Sequence, residues 1–196
     1  MGMTRYFEEF QVGERIISRS RTLEMADIRM YSACTSLCAR IHSDPVYCRG
    51  IPALKRITVP YSLVLNVVDG FYAQSVSPDG VPTFHYGYDK TDYCAPIYPG
   101  DCIHTEFVLV DKQEKNQQFG VLTFQCRTFN QNGDVVIEHI DKLYVGKKSA
   151  FCAGQAAERT ETGEHNGLYY SRHQAGGPVG DASASIRLLS GPEQSV

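Results

Sequence analysis

The chain has 196 residues, of which 42% are hydrophobic and 21% charged, with a formal net charge of -3 and an isoelectric point near 6.1. That is enough chain to bury one core, and the faintly acidic balance excludes the basic face that nucleic-acid binding needs. No apolar run approaches the roughly 18 residues of a membrane span. Residues 1–10 carry acids where a signal peptide needs an apolar stretch, so a cytoplasmic protein with no membrane partner is expected.

In chain order, residues 15–22 alternate partly in polarity and read as a short first strand. Residues 24–33 form a short amphipathic helix whose apolar side is Met25, Ile28, Met30 and Tyr31. A polar loop bearing one histidine, His42, follows. Asp44-Pro45 closes it, because proline lacks an N–H and turns the preceding residue away from helix. Asp44 is expected to cap or stabilise that turn. Residues 48–60, with two prolines and a glycine, are expected to be loop. The strongest helix spans residues 61–76, where Leu63, Val64, Val67, Val68, Phe71 and Tyr72 draw one wide apolar stripe. The sequence Ser77-Pro78-Asp79-Gly80 ends it in a turn.

Residues 83–93 suit a strand, and Pro96, Pro99 and Gly100 bend the chain after it. Three antiparallel strands are expected over residues 102–114, 120–130 and 134–147, with Asn132-Gly133 as the turn between the last two. In the middle strand, Phe124, Cys126 and Thr128 set against Leu122, Gln125 and Arg127 make an imperfect alternation. From residue 149 the chain is rich in Gly, Ala, Ser, Gln and Glu. The organisation expected is a domain over 1–148 and a flexible tail over 149–196.

Seven cysteines include no Cys-x-x-Cys pair, which removes zinc ribbons and thioredoxin-type motifs. Cys34, Cys38 and His42 recur every four residues, a spacing that would gather zinc ligands on a continuous helix. With no fourth ligand and His42 placed in a loop, they read instead as small buried cysteines beside a loop histidine. No metal or other cofactor is expected. His85, His104 and His139 lie in strands without a spacing that suggests a site.

The run Ser36-Leu37-Cys38-Ala39-Arg40-Ile41-His42-Ser43-Asp44-Pro45 resembles the segment Gly-Asp-any-Asn-Pro-aliphatic-His-any-Asp-Pro of the MaoC-like, or R-specific enoyl-CoA hydratase, family. Lys55-Arg56-Ile57-Thr58-Val59-Pro60 resembles that family's Gly-Arg-Ile-Val-His-Gly. Residues 93–101 resemble its Phe-x-x-Pro-Val-x-x-Gly-Asp. The resemblance covers roughly residues 5–147. It implies an α+β hotdog fold, an antiparallel sheet wrapped around a central helix. It also implies a dimer, either of identical chains or with a homologous hotdog chain, since family members pair their sheets.

For chemistry the resemblance implies hydration of an enoyl thioester. An Asp–His pair moves protons, and a glycine N–H at the start of the central helix stabilises enolate-like charge. Here Leu37 stands for that Asp, Ala39 for Asn, Arg40 for Pro, and Pro60 for the glycine, while His42 is kept. The reading is a hydro-lyase-like enzyme without the usual Asp. It would be recast for a related dehydration, hydration, isomerisation or cyclisation of an acyl-thioester-like or unsaturated carbonyl substrate, of the sort a secondary pathway uses. His42 is the catalytic candidate, and Leu37, Ala39, Arg40, Pro60 and Tyr61 are the substrate-binding candidates. The alternative is a catalytically silent hotdog subunit or ligand-binding module paired with an active partner.

Overall fold

The apolar stripe of residues 61–76 needs a surface to bury against, and the strands after it provide one. The computed structural model describes residues 5–76 and 80–151. The expected turn at 77–80 and the expected tail fall mostly outside these residues. Strands β1 (Arg15–Ile17) and β2 (Arg21–Thr22) precede three helices, α1 (Met25–Thr35), α2 (Pro45–Arg49) and α3 (Tyr61–Ser75). Four long strands follow: β3 (Thr83–Tyr93), β4 (Cys102–Glu114), β5 (Phe119–Phe129) and β6 (Val135–Gly146). They form one antiparallel sheet in the order β1-β4-β5-β6-β3, with β2 also paired to β4. An antiparallel sheet packed on one helix is the α+β hotdog arrangement. Among the described residues no helix is long and apolar enough to cross a membrane.

Burial explains the register. Along β5 the buried positions are Gly120, Leu122, Phe124, Cys126 and Thr128, a period of two that turns one face inward. The strand therefore alternates cleanly, and the expectation that set Leu122 with Gln125 and Arg127 is corrected. The six apolar residues of the α3 stripe are all buried, alongside Ile103, Phe107 and Leu109 of β4 and Ile137, Leu143 and Val145 of β6. Tyr72 of α3 meets Phe107 and Phe124 edge-on, with ring centroids 4.6 and 5.4 Å apart. Each such side chain contributes about 1.5–3 kcal/mol by leaving water.

Two local expectations change. The stretch from residue 45 is not simply a turn into loop, because Pro45 opens the five-residue α2. Proline suits a first helical position, where its missing N–H has no partner to lose. The first helix also runs on to Thr35 and stops only where Ser36 turns left-handed, at φ 59°.

At the far end of the sheet, Phe7 lies on Gly120, and a Cβ at that position would stand 2.2 Å from the Phe7 ring. Phe7 is 3% exposed and has little room to give way. Gly120→Ala should therefore cost about 1–3 kcal/mol by overpacking, read as a lower urea midpoint with an unchanged slope. In a Phe7→Ala background the same change should cost almost nothing, and an equal cost in both backgrounds would refute this packing account.

Candidate functional site

The loop that carries His42 is built by three local devices. Ser36 ends α1 with its left-handed backbone. A 3-10 turn over Arg40–His42 then lifts the chain. Asp44 caps α2, its Oδ1 accepting from the N–H groups of Val46 and Tyr47 at 2.9 Å each, while its Oδ2 accepts from Arg40 at 2.8 Å. The Tyr47 N–H and then the Arg40 side chain hold this carboxyl below the usual carboxylate range.

The turn presents His42 to residues 57–59. Its Nδ1 lies 2.7 Å from the Thr58 carbonyl oxygen, and the Thr58 N–H donates to the Ile41 carbonyl at 3.0 Å. A carbonyl only accepts, so Nδ1 carries the proton and Nε2 of the neutral ring keeps its lone pair. His42 lines a cavity of about 390 Å³ together with Leu37, Pro60, Tyr61, Ser62 and Tyr93.

The opposite wall is the first turn of α3. Pro60 is its N-cap and supplies no side-chain hydrogen bond to it. The first amides of a helix have no partner within it, and they carry the positive end of the helix dipole. Tyr61 has its hydroxyl engaged, donating to the Ala95 carbonyl at 2.8 Å, and its ring stacks on Tyr93 with centroids 4.3 Å apart. Burial raises the pKa of this phenol.

Of the sequence candidates, His42, Leu37, Pro60 and Tyr61 meet at this cavity. Ala39 and Arg40 do not line it. Ala39 is exposed at the start of the 3-10 turn, and Arg40 is exposed, ion-paired with Asp44, and lies 4.3 Å from the Tyr47 ring centroid. Arg56 stacks over Tyr98 at 3.7 Å. Cys34 and Cys38 are exposed, contrary to the buried setting expected. The break at Ser36 also denies Cys34, Cys38 and His42 a common helix face. Among the described residues, no carboxylate lines the cavity.

A second polar group was not expected. Cys126, His139 and Asp141 are buried on neighbouring strands, with His85 of β3 at their edge. The signal lay in β6, where His139 and Asp141 occupy the buried phase between Ile137 and Leu143. Spacing along the chain does not reveal it, because the residues join through strand pairing.

No family model matches the chain. It is 26% identical over 145 residues to the beta-methylmalyl-CoA dehydratase of Chloroflexus aurantiacus, covering 73% of this chain and 40% of that protein. It is also 26% identical over 148 residues to the mesaconyl-CoA hydratase of Cereibacter sphaeroides, covering 74% of this chain and 42% of that one. The chain thus spans about two fifths of the length of these curated relatives. Among solved structures it is similar to the monoamine oxidase regulatory protein of Archaeoglobus, with a TM-score of 0.68, 25% identity, and coverage of 74% of this chain and 95% of that one. The MaoC-like dehydratase of Rhodospirillum rubrum gives a TM-score of 0.64 at 20% identity, over 73% and 97% of the two chains. The sheet, the central helix and these likenesses together give the chain a hotdog fold similar to that of MaoC-like proteins, with hydratases and dehydratases among its distant relatives.

Proposed function

We propose that the cavity at the start of α3 is a hydratase- or dehydratase-type site in which His42 is the single acid–base group. The observation that carries this reading is the His42 Nδ1 to Thr58 carbonyl bond of 2.7 Å, which reserves Nε2 for chemistry in a cavity walled by the open turn of α3. In hydration of an unsaturated thioester, Nε2 takes a proton from water as the oxygen bonds to the β-carbon. The electron pair of the double bond passes to an enolate, and the imidazolium returns the proton to the α-carbon. Dehydration runs the same steps backwards. The backbone N–H groups that open α3 stabilise the enolate oxygen, one residue or more beyond Pro60, which has none to give.

Leu37 puts an apolar side chain where the family's acid stands, so the substrate is one whose chemistry tolerates a lone histidine. Crotonyl-CoA should be hydrated barely above background. Leu37→Asp should raise that rate by about 10²-fold or more, the usual worth of a positioned acid–base group. Mesaconyl-CoA is the second substrate to assay, given the relatives named above. Conversion of whichever acyl-CoA is turned over should collapse in His42→Ala with circular dichroism unchanged, and full activity in that variant would remove the proposal.

A second reading, a silent subunit beside an active hotdog partner, draws on the lack of a carboxylate among the described lining residues. It predicts no turnover by the isolated chain and turnover once the partner is added. Both readings share an assembly. The sheet ends at β3, which exposes Phe84, Tyr86 and Tyr93 at 57, 48 and 52%, and long edge strands with apolar side chains invite pairing. The chain should run as a dimer in light scattering at micromolar concentration, alone or with a homologous hotdog chain, and a stable monomer under both conditions would count against it.

A further inference from the structure

The hydrophobic core contains one group of side chains that nothing in the hydratase reading uses. Cys126 of β5 faces His139 of β6 directly across the ladder, and Asp141 follows two residues later on the same face. One ligand atom from each lies within 4.8 Å of the others, and all three residues are at most 1% exposed. His85, in β3 on the other side of β6, brings its Nε2 to 2.9 Å from Asp141 Oδ1.

The group is short of partners. Among the described residues, both ring nitrogens of His139 and the hydroxyl of Tyr72 are buried without a hydrogen bond, and Asp141 Oδ1 has the His85 ring as its neighbour. Each such atom costs about 1–3 kcal/mol when nothing replaces its water, and a core seldom tolerates several together. Burial pushes the Asp141 carboxyl up to about 6, drives His139 down to about 4, and raises the Cys126 thiol. A cavity of about 240 Å³, lined by Asp69, Tyr72, His85 and Asp141 among others, reaches the Asp141 side of the group.

We propose that Cys126, His139 and Asp141 form a zinc-binding site with a water in the fourth position, and that His85, against the Asp141 carboxylate, is its outer-shell partner and ties β3 to the β5–β6 pair. The donor set is the sulfur, nitrogen and oxygen mixture that zinc accepts in tetrahedral sites. In a tetrahedral site, zinc bonds of about 2.0–2.3 Å set ligand atoms about 3.3–3.8 Å apart, so donors lying within 4.8 Å of one another draw in by at most about 1–1.5 Å on binding. Binding exchanges the Cys126 S–H for an S–Zn bond and releases that proton to water. The thiolate and the carboxylate together then balance the two positive charges. Asp69, which accepts a hydrogen bond from Tyr88 at the mouth of the same cavity, adds negative potential along the entry path. Ordered water would satisfy the same atoms without a metal, and the experiment separates the two.

The full chain is freed of metal with chelator, loaded with zinc chloride, passed through a desalting column and assayed for zinc by mass spectrometry. One zinc per chain is expected, together with a higher melting temperature that magnesium does not reproduce. With cobalt chloride in place of zinc, a sulfur-to-cobalt charge-transfer band should appear. Cys126→Ser should abolish the band. Cys34→Ser with Cys38→Ser should leave it intact, which sets aside capture by the exposed thiols. His85 is half-exposed and its loss threatens folding least. His85→Ala should weaken zinc binding at least ~10–100-fold, the loss seen when an outer-shell partner of a metal is removed. A wild-type chain that retains no zinc, or a cobalt band that persists in Cys126→Ser, would overturn the site and leave water as its occupant.

Discussion

Everything in this molecule leans on the burial of α3 against the sheet. A helix with apolar residues over so wide an arc is not stable in water on its own. Strands buried on one face need a partner for that face. Each supplies what the other lacks, and the Tyr72, Phe107 and Phe124 rings interlock at the contact. The chain before α3 packs onto the same core through Phe7, Phe10, Leu23 and Ile28, while the segment between α1 and α3 is left to form the His42 loop.

That division of labour places the candidate site. A helix driven into a sheet still has two ends, and the N-terminal end of α3 opens beside the His42 loop. The loop is held by backbone more than by packing: Asp44 caps α2, Thr58 and Ile41 pair through their main chains, and the Thr58 carbonyl orients the imidazole. Such a frame tolerates replacement of the side chains it presents. Leu37 and Pro60 can therefore stand where the related hydratases are expected to have an acid and a glycine, without disturbing the fold. A frame of this kind leaves the chemistry of the site to be argued apart from the fold.

The buried Cys126, His139 and Asp141 group follows a different logic. It lies inside the packed region, where unpaired polar atoms are expensive, and in β6 it interrupts a face that is otherwise apolar, between Ile137 and Leu143. A bound cation would turn this cost into a cross-link between strands. The two polar regions are thus distinct in kind, one a cavity at a helix end and the other a buried cluster within the sheet.

Much of this was legible in the amino-acid order. The α3 stripe, the four long strands and their turns follow from periodicity and from proline and glycine, which act over a few residues. His42, Leu37, Pro60 and Tyr61 were legible because a loop motif and a helix start keep their spacing along the chain. Other features were not. Pro45 as the opening of α2 depended on Asp44 capping it, and the same dipeptide also suits a turn. Arg40 was drawn away from the cavity by Asp44 and Tyr47, contacts that only the folded loop creates. The meeting of His85, Cys126, His139 and Asp141 comes from three strands joined in register. Sequence determined which residues face inward; strand pairing, which sums many weak contacts over long separations, decided which of them touch.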